Sequence, residues 1–201
     1  MKRLSIAIVL AALSFGAGCS KMDRADERSV APTPAPSASC ACPGPVVDEH
    51  LIAFLSKARA AHHEADLAEH AKDVGGAIRS LERLVRGPRP GGASPEVAEV
   101  TADTHARLAD LRSASGDFDA AIKDVDDGLA LATAPTHFRG HLFEMMGIVH
   151  ERRMKSLADA GNQSGADREK KLAIEAYEKA MTTQDEVIRR ALPAGEPPAP
   201  R

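Results

Sequence analysis

The stretch "SGDFDAAIKDVDDGLALA", residues 115–132, opens with a Gly-Asp turn signal and then sets Phe118, Ala121, Ile122, Val125, Leu129 and Ala132 on one helical stripe. A helix this short is marginal alone in water, because nucleation is costly and only packing of its apolar face makes up the deficit. It therefore requires partners. One lies just before it: Ser94 and Pro95 read as an N-cap and first helical residue, and Val97, Val100, Thr104, Leu108 and Leu111 keep helical spacing up to the Gly116 turn. The pattern continues in both directions, predicting helices over 48–72, 75–86, 95–114, 118–133, 137–158 and 167–191, with no alternating strand pattern.

With 13 Pro, one Tyr, five Phe and no Trp in 201 residues, the core has to be built from Ala, Leu, Val and Ile, which suits closely packed helices. The fold class expected is all-α.

The first residues, "MKRLSIAIVLAALSFGAGCS", give a basic start at Lys2 and Arg3, an apolar run from Leu4 to Phe15 and small residues up to Cys19. About a dozen apolar residues fall short of the roughly 20 that cross a bilayer as a helix, so residues 1–18 read as an export signal. The run Gly16-Ala17-Gly18-Cys19 resembles the lipobox of bacterial lipoproteins, with Gly16 where that family usually has Leu. The resemblance implies that Cys19 is the acylated first residue of the mature protein. Ser20 and Lys21 follow without an Asp retention cue, which implies the periplasmic face of the outer membrane.

Residues 19–47 form a Pro/Ala-rich linker without apolar periodicity, and residues 193–201, "PAGEPPAPR", read as an equally unstructured tail. At roughly 3.1 Å per residue, Ser20 to Val47 could hold the helical body, residues 48–192, up to about 85 Å from the anchor. Cys40 and Cys42 lie in this tether. An internal bridge, an intermolecular bridge and a thiol pair are all open to exported cysteines, and a linker disulfide without catalysis is favoured over redox or metal roles. Loss of the leader removes Lys2 and Arg3, leaving 24 basic and 29 acidic residues, a net charge of −5. That balance excludes the basic footprint of a nucleic-acid binder.

Helix, Gly-Asp turn, helix with Ala then Ile on the second helix resembles the tetratricopeptide repeat, and Leu108, Ala109, Ala121, Ile122, Val125, Gly128 and Leu129 stand at its signature positions. His105 and Arg112 replace its two aromatics. A second copy fits Phe143, Met146, Gly147 and His150 with Ala173, Ile174, Tyr177, Ala180 and Met181, separated by an insertion of about 14 residues in "KSLADAGNQSGADREKK". A third fits Ala77, Ile78, Leu81 and Leu84. The resemblance implies a short α-solenoid of about three helix pairs with a long closing helix, irregular in spacing because the Ala marker falls at 77, 121 and 173, with loops absorbing the excess.

In that family the first helix of each pair lines a concave groove. The inward places then map onto Arg59, His62, His63, Asp66, Glu69 and His70, onto Asp103, Arg107 and Asp110, and onto His141, Glu144 and Met145. The clamp that some relatives use for a C-terminal carboxylate has Asn where this chain has Asp66 and Asp110. What the resemblance implies is a non-enzymatic, lipid-anchored adaptor for a protein or peptide partner.

No catalytic motif competes. His63-Glu64 and His150-Glu151 each begin a His-Glu-x-x-His pattern, but Leu67 and Met154 occupy the second His positions. No nucleophile elbow, phosphate loop or dinucleotide fingerprint occurs, and no cofactor is expected. The alternative reading is a periplasmic metal-binding helical protein, because His63, Asp66 and His70, and again His137, His141 and Glu144, share a helical face.

Overall fold

The computed structural model describes residues 48–91 and 94–192, which are all-helical with no strand among them. Six helices run in chain order: α1 (Glu49–His70), α2 (Val74–Val85), α3 (Pro95–Ala114), α4 (Phe118–Leu131), α5 (His137–Asp159) and α6 (Gln163–Ala191). The expected leader, Cys19, Cys40, Cys42, the linker and the tail lie outside the described residues. No helix among the described residues is long and apolar enough to cross a membrane.

Each start has a chemical cause. Asp48, Asp73, Asp117, Thr136 and Asn162 accept backbone N–H bonds at the entries to α1, α2, α4, α5 and α6. The exception is Ser94, whose hydroxyl donates to Glu96 at 2.6 Å instead of capping α3. Pro95 still provides the preset first helical residue.

The helices form three hairpins, α1–α2, α3–α4 and α5–α6, closed by the same turn. A left-handed residue sits in each: Lys72, Gly116 and Gly161, with φ of 64°, 84° and 77°. The following Asp73, Asp117 and Asn162 donate their backbone N–H to Ala68, Arg112 and Leu157, five residues back in every case, at 2.8, 2.9 and 2.8 Å. Four residues after each cap, Ala77, Ala121 and Ala166 stand in the first turn of the second helices, each bonded back to its cap residue and each buried.

This register corrects the sequence reading of the third pair. Its small marker is Ala166, not Ala173, so the spacings are 44 and 45 rather than 44 and 52. The supposed insertion is not a loop: α5 and α6 continue through it and meet at the three-residue turn Ala160-Gly161-Asn162.

Three apolar clusters fill the interior. Phe54, Ala58, Leu84 and Val97 form the first, and Ala65, Ala77, Leu81, Leu108 and Leu111 the second. The third gathers Ala102, Ala106, Ala109, Ala121, Val125, Leu142 and Val149. Small residues allow the close approaches. A Cβ on Gly147 would lie 2.6 Å from the Tyr177 ring, and one on Gly128 would lie 2.6 Å from Leu142 Cδ2. Besides the pairing within hairpins, α3 packs on α1, α2 and α5, and α4 packs on α5, whereas α2 and α4 face each other across a groove. The outer side of α6 is not uniformly polar, since Ile174, Met181 and Ile188 are exposed along it.

Candidate functional site

Because α1, α3 and α5 are the first helices of the three hairpins, their residues recur on one face at the repeat spacing. Asp66 and Asp110 each stand six residues before their left-handed turn residue, and Arg107 and Arg152 nine before theirs. Equivalent bonds follow. Arg107 donates to Asp66 at 2.5 Å and to Glu69, tying α3 to α1. Arg152 donates to Asp110 Oδ1 at 2.8 Å, to the Asp110 carbonyl at 3.0 Å and to Ser113 at 2.6 Å, tying α5 to α3.

His62 completes the α1–α3 joint. The Thr104 hydroxyl already donates to the Val100 carbonyl at 2.7 Å, so in the 3.1 Å contact the His62 Nε2–H is the donor to Thr104. Nδ1 is left to accept from Arg107 at 3.3 Å. Burial first, and the Arg107 guanidinium second, hold the His62 imidazole below its ordinary range. The hydrogen bond from Arg107 holds the Asp66 carboxyl below its own, and bonds to Glu69 and Asp66 outweigh burial to raise Arg107.

The other expected face residues divide. Arg59 donates to His63 at 3.4 Å, His63 lies 3.6 Å from Asp66, and the His70 ring donates to the Asp66 carbonyl at 2.8 Å. Asp103 is half-buried beside His62. His141 contacts Glu144 at 3.4 Å and stacks on His137 with ring centroids 6.3 Å apart. Met145 is a correction: it is 7% exposed and belongs to the core, not to a groove. By the repeat register the third-hairpin face residues are Glu151, Arg152 and Lys155, which the sequence reading missed. Lys155 donates to Glu151 at 2.6 Å, and Tyr177 donates to the same carboxylate at 3.0 Å. Burial, followed by that bond, pushes the Tyr177 hydroxyl up to about 12. The Gly161-Asn162 turn was the signal that locates them.

Neither expected metal set converges. Among the described residues, the His and carboxylate group whose ligand atoms lie together is His105, Asp124 and Asp127, which belongs to neither.

The chain matches no family model, no curated protein and no solved structure.

The His62 geometry sets a pH dependence. Its folded pKa lies below the unfolded value of 6.5, so as pH falls the unfolded chain takes up this proton first. The stability His62 contributes is complete above about pH 6.5 and is lost as pH falls through that value toward the folded pKa. Asp66, also depressed, contributes above its unfolded 3.8 and loses that contribution only at lower pH. Thermal melts between pH 7 and 5 are expected to show declining stability in the native chain and a shallower decline in His62→Asn. Equal slopes would contradict the assignment.

Proposed function

We propose that the protein is a non-enzymatic adaptor: a tetratricopeptide-like stack of three helix pairs, held to the outer membrane by lipid on Cys19, that docks a protein or peptide segment on the face of α1, α3 and α5. The observation that carries this reading is the repeated ladder of Arg107 on Asp66 and Arg152 on Asp110, which fixes three first helices into one continuous polar face. The repeat of 44 to 45 residues exceeds that family's 34, and long first helices of 22, 20 and 23 residues take up much of the difference.

The ladder also changes how docking is tested. Arg107 and Asp110 join helices, so their replacement would loosen the fold along with the face. Exposed His63 and half-buried Asp103 carry no such cross-helix bond. His63→Ala with Asp103→Ala is expected to weaken partner capture from native membranes several-fold, whereas Asp126→Ala with Ala130→Ser, on the exposed side of α4, leaves it unchanged. The reverse pattern would move the docking face to the second helices.

The anchor is tested separately. Cys19→Ser is expected to abolish lipid labelling and to release the protein into soluble fractions, and equal labelling of the variant would remove the lipoprotein reading.

A further inference from the structure

The repeat register brings out a difference between two buried histidines. His105 and His150 each stand eleven residues before their turn glycine, and each faces a carboxylate nineteen residues on, Asp124 and Glu169. In the first hairpin the corresponding places are Ala61 and Ser80, joined by a Ser80 hydroxyl bond to the Ala61 carbonyl at 3.0 Å. His150 and Glu169 close to 2.7 Å, a direct hydrogen bond. His105 Nδ1 and Asp124 Oδ1 stay 3.4 Å apart although both residues are more than nine-tenths buried.

We propose that His105, Asp124 and Asp127 bind a divalent transition metal of the zinc class between α3 and α4, a site that goes beyond the docking reading and does not depend on it. A separation of 3.4 Å exceeds the usual 2.7–3.2 Å of an N–H···O bond. It is, however, the edge of a tetrahedron whose ligands lie about 2.0–2.1 Å from the centre, the bond length of zinc to imidazole nitrogen and carboxylate oxygen. Asp127 supplies the third ligand from the next turn of α4, where the third hairpin carries Leu172, and one donor atom from each of the three residues lies within 4.8 Å of the others. An imidazole in the set favours this class of metal over calcium or magnesium, which take oxygen ligands.

The surroundings fit. Arg112 donates to Asp124 Oδ2 at 2.5 Å, which orients the carboxylate and leaves Oδ1 directed at His105. Glu82 accepts from the same guanidinium and offsets its charge. Lys123 on Asp127, at 2.6 Å, is the cation a metal would displace, and its side chain is 72% exposed, so the displaced ammonium is returned to water. The site opens into a groove of about 410 Å³ lined by α2, α3 and α4 and by Arg86 and Arg89 just beyond α2, with Arg86 paired to Glu82, and this groove gives an entry path and room for water as a fourth ligand.

Full-length protein stripped with chelator is to be titrated with zinc by calorimetry and with cobalt(II) by visible absorption. The expected result is one zinc per chain, with a tetrahedral cobalt spectrum. Both His105→Gln and Asp127→Asn should weaken zinc by more than about tenfold and abolish the cobalt bands, whereas Cys40→Ser/Cys42→Ser and His63→Gln/His70→Gln retain them. Asp127 is half-exposed, so Asp127→Asn decides the matter should His105→Gln fail to fold. No zinc uptake by the native chain, uptake unchanged by Asp127→Asn, or loss only in the cysteine variant would each overturn the proposal.

Discussion

Arg112→Met is expected to destabilise the folded body by about 3–5 kcal/mol, the range for removing one partner of a buried ion pair. Arg112 joins Glu82 of α2 to Asp124 of α4, and the three side chains are only 17%, 22% and 8% exposed. Methionine preserves the stem's packing and removes the charge, which leaves Asp124 with only His105 beside it and Glu82 with only the exposed Arg86, 3.1 Å away. This arginine also adds an ionic tie from α3 to both α2 and α4, beside the apolar packing of Ala77 and Leu81 on Leu108 and Leu111 that joins the first and second hairpins. The triple change Arg112→Met/Asp124→Asn/Glu82→Gln is expected to recover more than half of the loss, since a neutralised trio no longer buries unpaired charge. Chemical denaturation of the three chains checks both steps. A single variant within about 1 kcal/mol of the native chain would mean that solvent screens the network.

The second large effect falls at the joint between the middle and last hairpins. Leu142 is fully buried and reaches Gly128 of α4, so Leu142→Ala is expected to cost about 2–5 kcal/mol through lost burial and the cavity left behind. Gly128 gives this prediction an internal check. In the native chain a Cβ there would meet Leu142 Cδ2 at 2.6 Å and His105 Cβ at 3.2 Å, so Gly128→Ala sets the helical gain of alanine against overpacking. In the Leu142→Ala background the new methyl enters vacated space. Gly128→Ala is therefore expected to be more favourable there by at least about 1 kcal/mol, and additive effects in denaturant titrations would contradict the packing described.

The helices were legible because their caps and stripes are local. Gly116-Asp117 and Ser94-Pro95 mark a turn and a start, and the expected boundaries fall within about two residues of the observed ones except at α6, which starts at Gln163 rather than 167. What misled was register. The sequence pattern sets the third pair seven residues late in α6, on Ala173 instead of Ala166, and seven residues early in α5, with His150 at the place of Arg112 instead of that of His105. Seven residues are close to two helical turns, so the shift preserves the apolar face and periodicity does not detect it. The two displacements together created the insertion of about 14 residues. Long-range partners break the degeneracy: His150 meets Glu169 across the same nineteen residues that separate His105 from Asp124.

The candidate face was legible in part. Arg107, Asp66, Glu69 and Asp110 were placed on it, but their bonds to one another depend on how neighbouring hairpins stack, which no local pattern encodes. Met145 was misplaced and Arg152 missed for the same reason, the slipped register of α5. His105 and Asp127 were not recognised as partners because their helices are separated by a turn and their convergence is a matter of three-dimensional packing.

The most direct test of the docking face is photo-crosslinking in native membranes from a single reactive residue introduced at position 103 on α3 or at position 126 on α4. A discrete protein adduct from position 103, absent from position 126, is the result expected of a partner seated across α1, α3 and α5. Adducts from position 126 alone would contradict it and place the partner on the second helices.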